Sequence, residues 1–177
     1  MSQAEWDGFG RYAETPPDRE TLERFFFLND ADRELVVEHR GSHSQLGFAV
    51  QLVTVRHVGR FLADPLDVPT PVVDYLAAQL NIDDASCVKR YLERRNTRYE
   101  HQAAIARVYG YRDFTVAEAE FVRWLDDQAW TTGDGPKALF YAAAACLRQQ
   151  WVLLPGVSTL AEVVASVRHG VPLRKLS

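Results

Sequence analysis

Residues 86–112 read S-C-V-K-R-Y-L-E-R-R-N-T-R-Y-E-H-Q-A-A-I-A-R-V-Y-G-Y-R, and this stretch decides the fold. Apolar residues recur in it twice at helical spacing, at Val88, Tyr91 and Leu92 and again at Ile105, Val108 and Tyr109. Between the two sets, the pattern Thr97-x-x-Glu100 is typical of a capping box that begins a helix. The stretch therefore predicts a helix, a short turn at Asn96 and a second helix that ends at Gly110.

The same stretch is strongly basic within an acidic protein. It holds seven lysines and arginines against two glutamates, a local balance of +5, whereas the 177-residue chain carries −4 and its remainder therefore −9. Salt screens charges beyond about 8 Å at physiological ionic strength, so the local patch matters more than the total. A helix-turn-helix presents its second helix to the major groove of DNA in this arrangement. An exposed, solvated helical hairpin is the alternative interpretation of the same pattern.

The predicted DNA contacts in this stretch fall into two groups. The residues expected to position the protein on phosphates are Lys89, Arg90, Arg94 and Arg95. The residues expected to project from the first turns of the second helix are Thr97, Arg98, His101 and Gln102. Arg98 is the one predicted to contact a guanine edge or a phosphate.

Helical signals continue outside this stretch. The patterns Thr115-x-x-Glu118 and Thr159-x-x-Glu162 repeat the capping box ahead of further helical periodicities. Asn29 or Asp30 is suited to cap a helix that runs to His39. The aromatic triplet at residues 25–27 is expected to enter the core. The sequence as a whole predicts an all-α, multi-helix bundle.

The segment from Ser42 to Gly59 is apolar on two faces, which favours a largely buried helix. Its many β-branched residues also suit a strand, so both structures remain open for it. Gly47 stands among large neighbours and indicates a close helix crossing. A second helix-turn-helix is predicted around this segment, and its candidate DNA contacts are Arg40, Ser42, His43 and Gln45.

Proline marks the boundary between the two predicted units, because three prolines fall within residues 63–71 and stiffen the chain. We therefore expect tandem helix-turn-helix-like units. The predicted order is a leader (1–17), a first unit (18–64), a proline connector (65–71), a second unit (72–114) and a C-terminal helical segment that packs on it (115–177).

Composition indicates an ordinary globular protein, with 47% hydrophobic and 25% charged residues. The first seven residues lack the features of a secretory signal, and the longest apolar run, residues 138–147, is too short to span a bilayer. Cys87 and Cys146 form no Cys-x-x-Cys pair and suit reduced thiols. We therefore expect a cytoplasmic protein without membrane association. The pI near 5.7 argues mildly against nucleic-acid binding.

The sequence shows no arrangement of residues typical of catalysis. The five histidines lack metal-ligand spacing, and no glycine-rich phosphate loop occurs. The carboxylates lie mostly on polar helix faces, with no secure strand to converge them on a metal pair. The prediction is a protein that is not an enzyme, with no catalytic residue, metal site or cofactor.

Several motifs stand in a familiar order. They include R-F-F-F-L-N-D-A-D (24–32), L-G-F-A-V-Q-L (46–52), G-R-F-L-A-D-P-L-D-V-P (59–69), Y-G-Y-R-D-F (109–114), A-W-T-T-G (129–133) and L-L-P-G-V (153–157). From about residue 11 to residue 169 the chain resembles the N-terminal region of the Tn-three-type replicative transposases. The resemblance implies a helical domain that binds terminal inverted repeats, with the Asp-Asp-Glu catalytic site in a separate C-terminal part. The family pattern often has Asn-Arg where this chain has Ser44-Gln45, so the first unit lacks a cation there.

The resulting hypothesis is a sequence-specific module for double-stranded DNA at transposon ends. The alternative is a protein-interaction regulator that pairs with the full-length transposase, or with a host partner, and inhibits it. The protein partners expected are a full-length transposase or a second copy of the chain itself. The acidic total supports this alternative. A ligand-binding helical sensor has only the apolar helix at residues 137–150 in its favour.

Overall fold

The computed structural model describes residues 8–133 and 135–170 of the chain. Its α-helices are α1 (Arg19–Phe25), α2 (Asp30–Val37), α3 (Ser42–Val58), α4 (Thr70–Gln79), α5 (Thr97–Tyr109), α6 (Phe114–Thr132), α7 (Pro136–Gln149) and α8 (Val157–His169). A 3₁₀ helix, Ala85–Glu93, lies between α4 and α5. Within the described ranges, the only β pairing is an isolated bridge between Arg112 and Val152. The all-α prediction is confirmed.

The chain divides into two compact units. The N-terminal unit is Arg11–Tyr109, and the other residues that the structure describes, 8–10, 110–133 and 135–170, form the C-terminal unit. The first predicted unit, the proline connector and residues 72–109 of the second predicted unit therefore lie in one compact unit. The physical reason is α3, which packs against α2, α4, α5 and the 3₁₀ helix and so gives the two segments a shared core.

The C-terminal unit has a core of its own. Helices α6, α7 and α8 bury Phe121, Leu147 and Leu160 among other apolar side chains. The ring of Phe9 packs edge-on against Phe140, with ring centroids 5.1 Å apart. No helix in the described part of the chain is long and apolar enough to cross a membrane.

Helix α3 is the centre of the N-terminal unit. Every residue from Leu46 to Val55 is buried. The segment is a helix and not a strand, because neighbouring helices cover its whole circumference and tertiary packing outweighs the weak preference of β-branched residues for strands.

Gly47 marks the close approach of the 3₁₀ helix to α3. A Cβ atom at this position would overlap ring atoms of Tyr91, and the Tyr91 ring is itself buried. We expect Gly47→Ala to lower the free energy of unfolding by about 1–3 kcal/mol, the usual cost of overpacking. Urea denaturation measures this change. In a Tyr91→Leu background the same substitution should cost much less, and an equal cost in both backgrounds would rule out the predicted clash.

The predicted capping boxes are wrong, although the helices that they announced exist. No side-chain capping bond joins residues 97 and 100 among the hydrogen bonds of the described chain. At residues 115–118, the cap is instead Asp113, whose carboxylate accepts from the backbone N–H two residues later at 2.9 Å. Helix α8 has Gly156 as its N-cap and so has no side-chain cap. The pattern marks a helix start to within two or three residues but not the capping residue itself.

The true capping box lies at α2, where Asn29 was one of the two predicted caps. The Asn29 side chain accepts from the backbone N–H of Asp32 at 2.9 Å, and the Asp32 carboxylate accepts from the Asn29 N–H at 3.1 Å.

The aromatic triplet at residues 25–27 does not enter the core as a whole. Only Phe26 is buried, because α1 ends at Phe25 and leaves Phe25 and Phe27 about half exposed.

The Asp32 carboxylate is fully buried and joins three helices. Arg56 of α3 donates to both of its oxygens, at 2.7 and 2.6 Å, and the Tyr109 hydroxyl of α5 donates at 2.5 Å. The Arg56 guanidinium also lies 4.8 Å from the centroid of the Tyr109 ring. Burial acts to raise the pKa of Asp32, but hydrogen bonds from Arg56 and Tyr109 outweigh it and lower the pKa.

Candidate nucleic-acid interface

A cavity of about 610 Å³ lies in the N-terminal unit, where the turn before α3 meets the turn before α5. Its lining residues are His39, Arg40, His43, Ser44, Arg90, Tyr91, Glu93, Arg94, Thr97, Glu100 and His101. Six of the twelve predicted DNA contacts are among them, namely Arg40, His43, Arg90, Arg94, Thr97 and His101. The fold therefore brings together two predicted turns that are about fifty residues apart in the sequence.

Two helices begin at this cavity. Gly41 has a φ of 84°, a conformation that favours glycine, and from it the chain enters α3 with no side-chain cap. Helix α5 begins at Thr97, where the Asn96 carbonyl accepts from the Glu100 N–H at 3.1 Å. Helix N-termini carry partial positive charge on their free N–H groups. Both helices therefore contribute positive potential to the cavity.

Three arginines and two glutamates line the cavity. Arg90 and Glu93 form an ion pair at 3.5 Å, but both side chains are 64% exposed, so solvent weakens it. Arg40 and Arg94 are exposed and form no ion pair with any residue that the structure describes. Arg95, next in the chain, is also exposed and without an acidic partner among those residues. Within the described chain, two guanidinium groups of the cavity lining, those of Arg40 and Arg94, are therefore without an ion pair, against one such carboxylate, that of Glu100.

Aromatic rings form the floor of the cavity. The His101 ring lies 4.2 Å from the His39 ring and 5.2 Å from the Phe48 ring. Burial, with a smaller contribution from His39, lowers the pKa of His101 to about 4, so its ring is neutral at pH 7. Its Nδ1 is hydrogen-bonded to the Tyr91 hydroxyl at 2.8 Å.

His101 was predicted to project from α5, and in this respect the structure differs from the expectation. The side chain is 5% exposed because it packs against His39, in the turn after α2, and against Phe48 of α3. The sequence could not show this, because the face of α5 that turns inward is set by the position of α3.

The other predicted contacts lie outside the cavity lining. Ser42, Lys89 and Arg95 are exposed. The side-chain amide of Gln45 donates to the His39 carbonyl at 3.0 Å, and that of Gln102 donates to Gln51 at 2.8 Å. The two glutamines therefore already have protein partners, whereas the three exposed residues are accessible.

Arg98 is half-buried at the start of α5. Its guanidinium donates to the Ala63 carbonyl at 3.1 Å and to the Tyr99 hydroxyl at 2.5 Å, and lies 4.5 Å from the Tyr99 ring centroid. Its Nε is buried without a hydrogen-bond partner among the described residues. Both hydrogen bonds are at the surface, so a modest rotamer change would free the guanidinium for another acceptor.

Sequence reasoning missed two residues of this region. Gln51 is 2% exposed and holds the first turn of α5, and a polar residue within an apolar helix was the available signal. Tyr91 was expected only as an apolar core residue, but its hydroxyl joins Gln51 to His101. In the part of the chain that the structure describes, no group of three or more His, Cys, Asp or Glu residues is placed to hold a metal ion.

Comparison with known proteins places the chain in a family. Residues 1–167 match the family described as a domain of unknown function, DUF4158. The chain is 39% identical over 163 residues to the transposase for transposon gamma-delta of Escherichia coli strain K12, covering 91% of this chain and 16% of that protein. It is 34% identical over 146 residues to the transposase for transposon Tn501 of Pseudomonas aeruginosa, covering 82% and 15%. It is 28% identical over 158 residues to the transposase for transposon Tn1546 of Enterococcus faecium, covering 89% and 16%. The chain thus spans about 16% of the length of the first of these relatives.

Proposed function

The chain belongs to the DUF4158 family and is similar along most of its length to part of several transposases, and from this premise we propose that it is a sequence-specific DNA-binding module. Its target is the double-stranded DNA of transposon ends, the terminal inverted repeats. The role proposed for this segment is binding and not catalysis.

The observation that supports this function best is the basic cavity between the two helix starts. Arginine guanidinium groups bind phosphate through paired N–H donors, and helix N-termini favour anions. Arg40 and Arg94 stand on opposite turns of the cavity, so one DNA strand could contact both turns. Ser42, Lys89 and Arg95 are exposed and would extend this contact along the backbone. The proposed interface also includes His43, Gln45, Arg90, Thr97, His101 and Gln102. Of these, His101 and the two glutamines act through neighbouring side chains.

Selection from a library of random duplexes tests this function and identifies the target sequence in the same experiment. The full chain is immobilised, and the library is selected on it over several rounds. One motif should be enriched, and its duplex should bind better than a duplex with the same bases in shuffled order. A library that stays random after selection would refute sequence-specific binding. The enriched duplex and its shuffled form then serve as the probes with which DNA binding of the variants is measured.

Arg98 is the residue that we propose reads a base. A base-reading arginine typically contributes about 1–3 kcal/mol of discrimination. Arg98→Ala should therefore reduce the preference for the selected duplex over the shuffled duplex by roughly tenfold, while binding to the shuffled duplex changes little. Fluorescence anisotropy with both duplexes measures this ratio. An unchanged ratio would remove Arg98 from the set of base contacts.

The second candidate function is a regulator that binds a transposase. Two exposed aromatic side chains favour it, because Phe25 and Phe27 are 49% and 57% exposed and lie close together in the sequence. A regulator of this kind would give no enriched duplex when tested alone. It would instead bind a full-length relative, which analytical ultracentrifugation of the mixture would detect.

A further inference from the structure

Gln51 is the polar residue at the middle of the buried run of α3, and its side-chain amide holds the start of α5. Its Nε2 donates to the backbone carbonyl of Arg98 at 3.1 Å and to the Tyr91 hydroxyl at 2.6 Å. Its Oε1 accepts from the side-chain amide of Gln102 at 2.8 Å. Arg98 and Gln102 are four residues apart and therefore lie on the same face of α5. The side-chain amide of Gln51 is thus hydrogen-bonded to residues at both ends of the first turn of α5.

A buried amide in this position is costly unless all of its partners are in place. Moving such a group out of water costs free energy that hydrogen bonds must recover, and a leucine would pack there without this requirement. The fully partnered amide instead specifies geometry, because its bonds form only when α5 lies at one angle and one register. The arrangement therefore suits a positioning role better than a purely stabilising one.

The same amide also connects to the 3₁₀ helix. The Tyr91 hydroxyl is bonded to both Gln51 and His101, and the Tyr91 ring lies over Gly47 of α3. The phosphate-facing side chains of Arg94 and Arg95 lie outside this network and are exposed. A change at Gln51 therefore reaches the base-facing start of α5 without removing those cations.

We propose that Gln51 is a positioning residue for DNA sequence discrimination, which fixes the first turn of α5 and with it the backbone of Arg98. This inference rests on the proposed function. Gln51 touches no DNA and acts through the backbone of Arg98. Its replacement by leucine leaves the Arg98 carbonyl and the Gln102 amide without their partner, so the start of α5 is no longer held in one orientation.

The test compares Gln51→Leu with Thr54→Val in the full chain. Thr54 is a matched control, since it is buried on the same helix and its side-chain hydroxyl is hydrogen-bonded to the Tyr12 hydroxyl at 2.8 Å, a bond that the valine removes. Anisotropy titrations with the selected and shuffled duplexes at two salt concentrations give the discrimination ratio and the salt slope. Gln51→Leu should lower the ratio by about tenfold and leave the salt slope and the shuffled-duplex affinity unchanged. Thr54→Val should leave all three unchanged.

A double-mutant cycle separates positioning from general loss of structure. In an Arg98→Ala background, Gln51→Leu should reduce discrimination little further, because it acts through Arg98. If the two substitutions reduce the discrimination ratio independently, so that their fold-changes multiply, the proposal is overturned. A wild-type ratio in Gln51→Leu, or an equal loss of the ratio in Thr54→Val, would also overturn it. Tyr91→Phe, which removes only the hydroxyl, provides a second variant if Gln51→Leu does not fold, and an unchanged ratio there would also overturn it. If the unmodified chain enriches no duplex, the proposed function itself fails, which is a different outcome.

Discussion

Replacing Asp32 with alanine should lower the free energy of unfolding of the N-terminal unit by about 3–5 kcal/mol, the usual cost of removing one partner of a buried ion pair. The substitution leaves the Arg56 guanidinium without its carboxylate and the Tyr109 hydroxyl without its acceptor. It also breaks the capping box with Asn29. Since α2, α3 and α5 meet at this carboxylate, the effect should extend to the whole unit.

Urea denaturation followed by circular dichroism measures this loss. Asp30→Ala is the matched control, because it removes an exposed carboxylate from the same helix two residues away. It should change the stability by less than about 0.5 kcal/mol, as surface substitutions usually do. Similar losses in the two variants would mean that the buried ion pair is not what joins these helices.

The pH dependence of stability follows from the same carboxylate. Burial acts to raise the pKa of Asp32 in the folded protein, but the hydrogen bonds from Arg56 and Tyr109 outweigh burial and lower the pKa. Its contribution is therefore present above the ordinary carboxyl pKa of about 3.9 and is lost as the pH falls from there towards the folded-state pKa. Urea midpoints between about pH 6 and pH 3 should fall more steeply for the wild type than for Asp32→Ala. Parallel curves would contradict this assignment.

Neutralising Arg40, Arg94 and Arg95 together should weaken DNA binding by up to about 100-fold, since each solvent-exposed ion pair with a phosphate contributes at most roughly 1 kcal/mol. The loss should affect the selected and shuffled duplexes about equally, because phosphate contacts carry no sequence information. The salt dependence should also become shallower, by about 0.9 in the log–log slope for each phosphate that the protein no longer neutralises.

Glutamine substitutions at Arg11, Arg123 and Arg168 provide the control for this experiment. These arginines are exposed and are not among the cavity-lining residues, so the control makes the same change in net charge without altering the cavity. It should retain DNA affinity to within a few-fold. If both triple variants weaken binding alike, overall charge and not the cavity determines affinity.

The sequence predicted those parts of the fold in which the pattern of neighbouring residues reflects which side chains are buried. The apolar residues of α3 surround the helix, and Gly47 among them correctly indicated a close crossing. A break at Asn96 was also expected, and the structure places it at residues 94–96, although the helix before it is 3₁₀ and not α. These features depend on residues close in sequence or on the size of one side chain, so the chain itself displays them.

Contacts between distant segments were not predictable in the same way. Asp32 was expected only within a motif, and nothing near it in sequence shows that it meets Arg56 and Tyr109. The two turns at Arg40 and Arg94 were assigned to separate units, whereas the shared core of α3 places both on one cavity. Which face of α5 is buried likewise depends on α3, and for this reason His101 lies inward.

The most direct test of the cavity as a phosphate site combines two changes. One phosphate of the DNA is made neutral, and one arginine of the protein is replaced by a neutral residue. The selected duplex is prepared with one methylphosphonate at each backbone position in turn, and its affinity is measured for the wild type and for Arg94→Gln. At one or two adjacent positions, the methylphosphonate should weaken binding of the wild type by roughly fivefold, about 1 kcal/mol for one solvent-exposed ion pair. The same methylphosphonate should leave binding of Arg94→Gln unchanged, because this variant has no guanidinium to bind the phosphate. If every position affects the two proteins equally, Arg94 does not bind a phosphate and the cavity is not the DNA interface.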